Sequence, residues 1–303
     1  MADRKAKQVI LQAPAKVNLC LDVVGEDGKG YHLLDGVMLA VDLYDTLTLR
    51  LEEGEGIQVV CNRPGIPLDE GNLAVKAAKA FLQQSGVQPA GKLLIQLEKR
   101  IPTQAGMAGG SADAAAVLAG LNLLLKTGWE LSHLMEMGLN IGSDVPFCLM
   151  GGCARAKGRG ERLEPLPLPG GVLVIAKPPG GNDTRRVFAL YDAYEGPLLR
   201  PDVEGMVRAL HQRDVAGVGL TMGNVFESIC ALEPLFALVH AMQVQGALGA
   251  AMTGTGTAVA GLFADEAAAQ NCLQSLQQSQ LPLEYLGIHR PVPGGPKTVE
   301  QLP

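Results

Sequence analysis

The sequence predicts an α+β protein of two domains. Short runs in the first third alternate apolar and polar residues, helical periods are interleaved with them, and "EPLPLPGG" (164–171) breaks the chain near its middle with three prolines and two glycines. The expected division is therefore 1–165 and 166–303.

Taken in order, "QVILQAPAKVNLCLDVV", "VDLYDTLTLRLEE" and "GIQVVCN" read as strands bounded by glycine, asparagine or charged turns. "NLAVKAAKAFLQQSG" has a helical period and Gly86 as its stop, and "KLLIQLEKR" returns to strand. A helix is expected over 113–126 and another over "ELSHLMEMGLN"; "DVPFCLMGGCARAKGRGE" reads as a loop and a strand. Beyond the linker, "VLVIAKP" is a strand, and helices are expected over 184–194, 203–212 and 225–245. "GAAMTGTGTAVAGLFA" reads as two strands around a glycine turn, followed by a helix over 266–278 and a last strand, "LEYLGIHR". No internal repeat or low-complexity tail stands out.

With 303 residues, 47% of them hydrophobic, the chain can bury a substantial core. A net charge of −6 and no lysine-arginine block speak against nucleic acid as a partner. The longest apolar run, Ala114 to Leu125, falls short of the ~18 residues of a membrane span. The charged start "MADRKAKQVILQAPAK" carries no apolar signal region, so the cytoplasm is expected. Six scattered cysteines form no C-x-x-C pair and five dispersed histidines form no metal motif, so no metal site built from protein side chains is expected. Nothing indicates an oligomeric state.

The chemistry concentrates in "IPTQAGMAGGSADAAAVLAGLN" (101–122). Gly106, Ala108, Gly109 and Gly110 run into a helix, leaving amide N–H groups uncovered where the helix dipole favours negative charge. That describes a phosphate cradle; small residues that let the helix pack closely would read the same way. Ser111 and Ala112 follow Gly110 where a Walker A loop needs lysine and Ser or Thr, and no G-x-G-x-x-G is present. "TGTGT" (253–257) alone reads as a hairpin turn. In "APAKVNLCLDV", alternation puts Lys16 and Asn18 on one side of a strand, facing either a cleft or solvent. In "GSDVPF", Asp144 reads as a helix cap or as a functional carboxylate.

Together "APAKVNL", "PTQAGMAGGSADAA" and "MTGTGTAVAGLF" resemble, in order, the superfamily of small-molecule kinases that includes galactokinase, homoserine kinase, mevalonate kinase and phosphomevalonate kinase. "GYHLLDGVMLAVDLYDTLTL", "GNLAVKAA", "GSDVPF" and "GNVFE" resemble the branch that acts on 4-diphosphocytidyl-2-C-methyl-D-erythritol in non-mevalonate isoprenoid synthesis. The resemblance implies an N-terminal ribosomal-protein-S5-like domain for ATP binding and catalysis and a C-terminal ferredoxin-like domain on the substrate side. It implies ATP and Mg²⁺ as cofactors and phosphorylation of the substrate's 2-hydroxyl.

The resemblance also assigns roles. Pro102, Thr103, Gln104, Ala105, Gly106 and Met107, continuing through Ala108, Gly109, Gly110, Ser111 and Ala112, would wrap the ATP phosphates, with Asn72, Leu73 and Lys99 toward the adenine. Asp144 would take the proton of the attacking hydroxyl, and Lys16 would hold Asp144 and the developing oxyanion. Asn18, Tyr31, His32 and, more loosely, Thr184 would meet the cytidyl substrate, with His32 and the Tyr31 ring hydrogen-bonding and stacking on the cytosine. Gly254 and Gly256 would pack beside the phosphate loop. The family's loop is often richer in glycine and carries Ser-Ser-Asn after it; here Ala108 replaces a glycine and Ala112 removes one hydroxyl, leaving Ser111 to serve phosphate or metal. Two alternatives stay open: another kinase of the superfamily, or a nucleotide-binding module without catalysis.

Overall fold

The first two strands are the longest, and their pairing forms the spine of the molecule. In a computed structural model describing residues 7–87, 91–230 and 233–302, β1 (Gln8–Glu26) and β2 (His32–Glu52) form an antiparallel hairpin. β3 (Ile57–Cys61), β4 (Lys92–Glu98), β5 (Cys153–Gly158) and β6 (Arg162–Leu166) extend that sheet, and β7 (Val172–Lys177) opens a second. The chain returns to the first sheet at β8 (Gly223–Asn224). It then gives β9 (Gly249–Met252), β10 (Val259–Phe263) and β11 (Tyr285–His289) to the second sheet and β12 (Lys297–Leu302) to the first.

The first sheet runs β12-β1-β2-β4-β3, with β5 also on β2, β6 on β5, and β8 parallel to β1. The second runs β11-β7-β10-β9, all antiparallel, so its strands lie in the chain order 4-1-3-2 of a ferredoxin-like sheet. The two-domain α+β class is thus met. The segment 166–303 nevertheless supplies β8 and β12 to the first sheet. Residue 165 lies inside β6, an outer strand, where a proline removes no needed ladder bond.

The helices are α1 (Leu73–Ser85), α2 (Gly109–Leu124), α3 (Leu131–Leu139), α4 (Val145–Met150), α5 (Thr184–Asp192), α6 (Val203–Gln212), α7 (Val215–Leu220), α8 (Glu233–Val244) and α9 (Glu266–Gln278). α1 stops at Gly86, whose φ of 63° is the left-handed cap expected of glycine. α2 begins at Gly109, four residues earlier than the apolar period alone indicates, because its first turn is glycine, serine and alanine.

The start of the stretch 144–161, expected as loop and strand, is helix α4, with a proline in its first turn, where the missing N–H costs nothing. The helix expected over 225–245 is split into a 3₁₀ turn (Val225–Ser228), seeded by Asn224 accepting from the Phe226 N–H, and α8. β6, α7, β8 and β12 went unpredicted; all are short, and β12 is mostly exposed with no apolar face to mark it.

α2 packs on the spine. A Cβ on Gly120 would lie 2.5 Å from Leu49 Cδ1 and 2.8 Å from Leu11 Cδ1, so here small size does serve close packing. Ala114 to Leu118, Leu121 and Leu124 of the same helix are buried in the core formed with β1 and β2.

Candidate active site

A cavity of about 900 Å³ is bordered by strands of the first sheet, by helix α5 and by the turn that joins β9 to β10. Lys16, Asn18, Tyr31, His32, Asn72, Leu73, Lys99, Asp144, Thr184, Gly254, Gly256 and each residue from Pro102 to Gly110 line it. Ser111, half-buried in the first turn of α2, and the buried Ala112 follow directly on that lining and are not part of it.

The loop's backbone explains its composition. Alternate residues Gln104, Gly106 and Ala108 have φ of 51°, 74° and 57°, a repeated left-handed kink of the kind that gathers amide groups around an anion. Ala108 occupies the N-cap position of the 16-residue α2 and has no side chain to cap it, so the first amides of α2 keep their donors for a ligand. Gly110 is exposed, and a Cβ there would meet nothing closer than Leu73 Cδ1 at 3.6 Å. Packing therefore does not require glycine at 110, whereas a ligand approaching the backbone does.

The second sheet holds the loop from the other side. Thr257 N–H donates to Gln104 O (3.4 Å), Ala258 N–H to Ala105 O (3.2 Å) and Thr253 Oγ1 to Gly106 O (3.2 Å). A Cβ on Gly254 would lie 3.0 Å from Gly106 O, so "TGTGT" packs directly against the loop.

Lys16 and Asn18 lie inward on β1, 5% and 4% exposed, between register shifts at Pro14/Ala15 and Asn18/Cys20 that re-aim the strand. Lys16 Nζ donates to Asn18 Oδ1 at 2.7 Å, and that oxygen also accepts from Gly254 N–H at 3.0 Å. Asn18 therefore bridges the strand to the glycine turn. The Lys16 N–H donates to Met107 O at 3.2 Å, tying the strand to the glycine-rich loop. Asp144 sits at the N-cap of α4, but its carboxylate makes no capping bond and borders the cavity. Lys16 and Asp144 both line the cavity without an ion pair between them. Both charges reach the Cys148 thiol, which burial pushes up, with Asp144 pushing the same way and Lys16 opposing.

His32 Nε2 lies 2.7 Å from Asp192 Oδ1 and 3.8 Å from Glu26 Oε1, and its ring stacks on Phe188 with centroids 4.6 Å apart. These three polar side chains form the one histidine-carboxylate group close enough to hold a cation among the described residues, and both carboxylates are largely exposed. Tyr31 is 53% exposed, with the Arg159 guanidinium 3.7 Å above its ring and itself paired to Asp27. One face of that ring is therefore already covered. Thr184 Oγ1 lies 3.2 Å from Thr255 Oγ1 at the cavity edge.

Two predicted adenine-side residues have their polar groups turned elsewhere. Asn72 caps α1, accepting from Ala74 N–H at 2.9 Å and donating to Pro67 O at 2.7 Å. Lys99 is buried between Asp45 and Asp113, so of this group Leu73 and the backbone are left to meet a base.

Sequence reasoning missed Phe188 and Asp192, although with Thr184 they recur every four residues on one face of α5. It also missed Arg159, Asp45, Asp113 and Thr253, whose partners lie far away in the chain.

An uncapped helix start, with an ammonium and an unspent carboxylate on the same cavity, is the arrangement of a small-molecule phosphotransferase. Residues 72–152 match the GHMP kinases N terminal domain and residues 206–282 the GHMP kinases C terminal domain. The chain is 39% identical over 277 residues to the 4-diphosphocytidyl-2-C-methyl-D-erythritol kinase of Lachnospira eligens, covering 90% of this chain and 94% of that one. A crystal structure of 4-(cytidine 5'-diphospho)-2C-methyl-D-erythritol kinase is 32% identical with a TM-score of 0.75, over 94% of this chain and 99% of that one. Homoserine kinase from Cytophaga hutchinsonii, 21% identical with a TM-score of 0.79 over 96% and 97%, shares the fold. The chain belongs to the GHMP kinase family, in the branch of the 4-diphosphocytidyl-2-C-methyl-D-erythritol kinases.

Proposed function

We propose that this chain transfers the γ-phosphoryl group of ATP to the 2-hydroxyl of 4-diphosphocytidyl-2-C-methyl-D-erythritol, in non-mevalonate isoprenoid precursor synthesis. The observation that carries the catalytic reading is the meeting of Lys16, Asp144 and the uncapped start of α2 on one cavity. The substrate oxygen forms a bond to the γ-phosphorus, the bond from that phosphorus to the β,γ-bridging oxygen breaks, and ADP leaves. The hydroxyl proton goes to Asp144, while Lys16, held by Asn18, offsets charge on the attacking oxygen.

The loop amides from 104 to 110 face the triphosphate, a role supported by the left-handed backbone at 104, 106 and 108. Ser111 carries a hard oxygen donor that suits Mg²⁺, which when bound would neutralise phosphate charge. On the substrate side, His32, Phe188 and Asp192 offer a ring face and hydrogen-bonding groups to a cytosine, with Tyr31 and Thr184 at the margins. That aromatic cluster favours a cytidyl substrate over mevalonate or homoserine, which have no base to stack. The reading takes the enzyme to act on this small molecule in the cytoplasm, where ATP is supplied, without nucleic acid or membrane as partner. No described helix is long and apolar enough to cross a membrane.

Purified protein with ATP, Mg²⁺ and the cytidyl substrate is expected to yield ADP and the 2-phosphate, and to leave mevalonate and homoserine unphosphorylated. Product from one of those instead would move the chain to another branch, and ATP binding without transfer to any of the three would make it a non-catalytic module.

A further inference from the structure

Beneath the phosphate loop lies a cluster of charge that the reaction does not use. Lys99, at the end of β4, has 3% of its side chain exposed, Asp45 on β2 has 1%, and Asp113 on α2 has 3%. Lys99 Nζ donates to Asp45 Oδ2, to Asp113 Oδ2 at 2.5 Å and to Gly109 O at 3.2 Å. An ammonium has three N–H donors, and all three are taken, so none remains for an adenine.

The other oxygen of Asp45 accepts from Arg100 N–H at 2.6 Å and Ile101 N–H at 2.9 Å. Residues 100 and 101 are the stem entering the loop; Gly109 and Asp113 are the stem leaving it. Both stems are therefore fastened to one point on β2. A buried cluster with two carboxylates to one ammonium is a poor source of net stability, since desolvation offsets much of the attraction. What it supplies is a stiff, directional tie in a low-dielectric site. The fit is close: a Cβ on Gly109 would lie 3.2 Å from Ile101 Cγ2 and 3.4 Å from Lys99 Nζ.

We propose that Asp45, Lys99 and Asp113 form a positioning cluster that sets the span of the loop between residues 101 and 109, and that Lys99 serves ATP through the phosphate-binding backbone and not through contact with the base. This rests on the kinase reading, and the test separates the two. Binding of ATP, ADP and adenosine is measured for the wild type, for Asp113→Asn, which keeps the side-chain shape, and for Lys99→Met. The wild type is expected to bind all three, and its failure to bind ATP would sink the kinase reading itself.

In Asp113→Asn, affinity for ATP and ADP is expected to fall about tenfold or more. Adenosine affinity, the KM for the cytidyl substrate and the melting temperature should stay close to wild type. Lys99→Met, where it folds, should show the same pattern more strongly. A parallel loss of adenosine affinity would make Lys99 a ligand of the base, and unchanged ATP affinity in Asp113→Asn would remove the positioning role.

Discussion

Gly106 lies so close to Thr253 that a Cβ on it would sit 1.9 Å from the Thr253 carbonyl oxygen, while the Thr253 hydroxyl donates to the Gly106 carbonyl at 3.2 Å. The phosphate loop of one sheet and the glycine turn of the other are in backbone contact, and either can move only with its partner. Gly106→Ala adds both this clash and a left-handed alanine, at a cost of at least ~1–2 kcal/mol. Thermal denaturation should show that loss, and nucleotide titration a weakened ATP affinity with the affinity for cytidine nucleotides unchanged. Wild-type ATP affinity in this variant would mean that the loop does not carry the phosphates.

Ala108 poses the opposite case, since its φ of 57° strains an L-residue. Ala108→Gly relieves ~1–2 kcal/mol of backbone strain and gives back part of it through the freer unfolded chain. The variant should be slightly more stable by urea denaturation, with ATP binding preserved.

Asp144 makes no capping bond for α4, so Asp144→Asn should fold and bind ATP as the wild type does. Its kcat should drop by about 10²–10⁴, the usual contribution of a positioned proton acceptor. Steady-state kinetics within a few-fold of wild type would rule out Asp144 as the base.

Phe188 stacks on His32 and borders the cavity. Phe188→Leu keeps the apolar volume and removes the ring face, a change worth ~1–3 kcal/mol where a base stacks on it. The expected result is a KM for the cytidyl substrate raised about tenfold with the KM for ATP unaltered; equal changes in both would point to a packing role.

Glu227 is partly buried without a cationic partner among the described residues, and its carboxylate accepts from the Met252 N–H at 2.5 Å. Burial pushes its pKa up from 4.5 to about 7, against the pull of that one hydrogen bond. Because the folded state favours the protonated form, the penalty is absent below about pH 4.5, grows as pH rises, and levels off above about 7. Glu227→Gln should therefore gain roughly 3 kcal/mol at pH 8 and little at pH 4, which denaturation at the two pH values would show.

Local chemistry was legible in the chain because backbone conformation and periodicity are properties of neighbours. Glycines and alanines before a helix marked the phosphate loop, alternation put Lys16 and Asn18 on one side of β1, and Gly86 ended α1. The resemblance then grouped these pieces into one cleft. What the chain did not reveal were pairings between distant residues: His32 with Asp192, 160 positions apart, or Arg159 over Tyr31.

The sequence by itself determined the two-domain α+β class and the glycine-rich loop before a helix, because each follows from residue type and local spacing, while the family resemblance singled out Lys16 and Asp144. Only the tertiary structure decided that Lys99 turns inward to two carboxylates and that β8 and β12 return to the first sheet. Burying a charge demands a partner, and exposed strand edges demand a neighbour; which residues meet those demands is settled only when the two sheets close on one another.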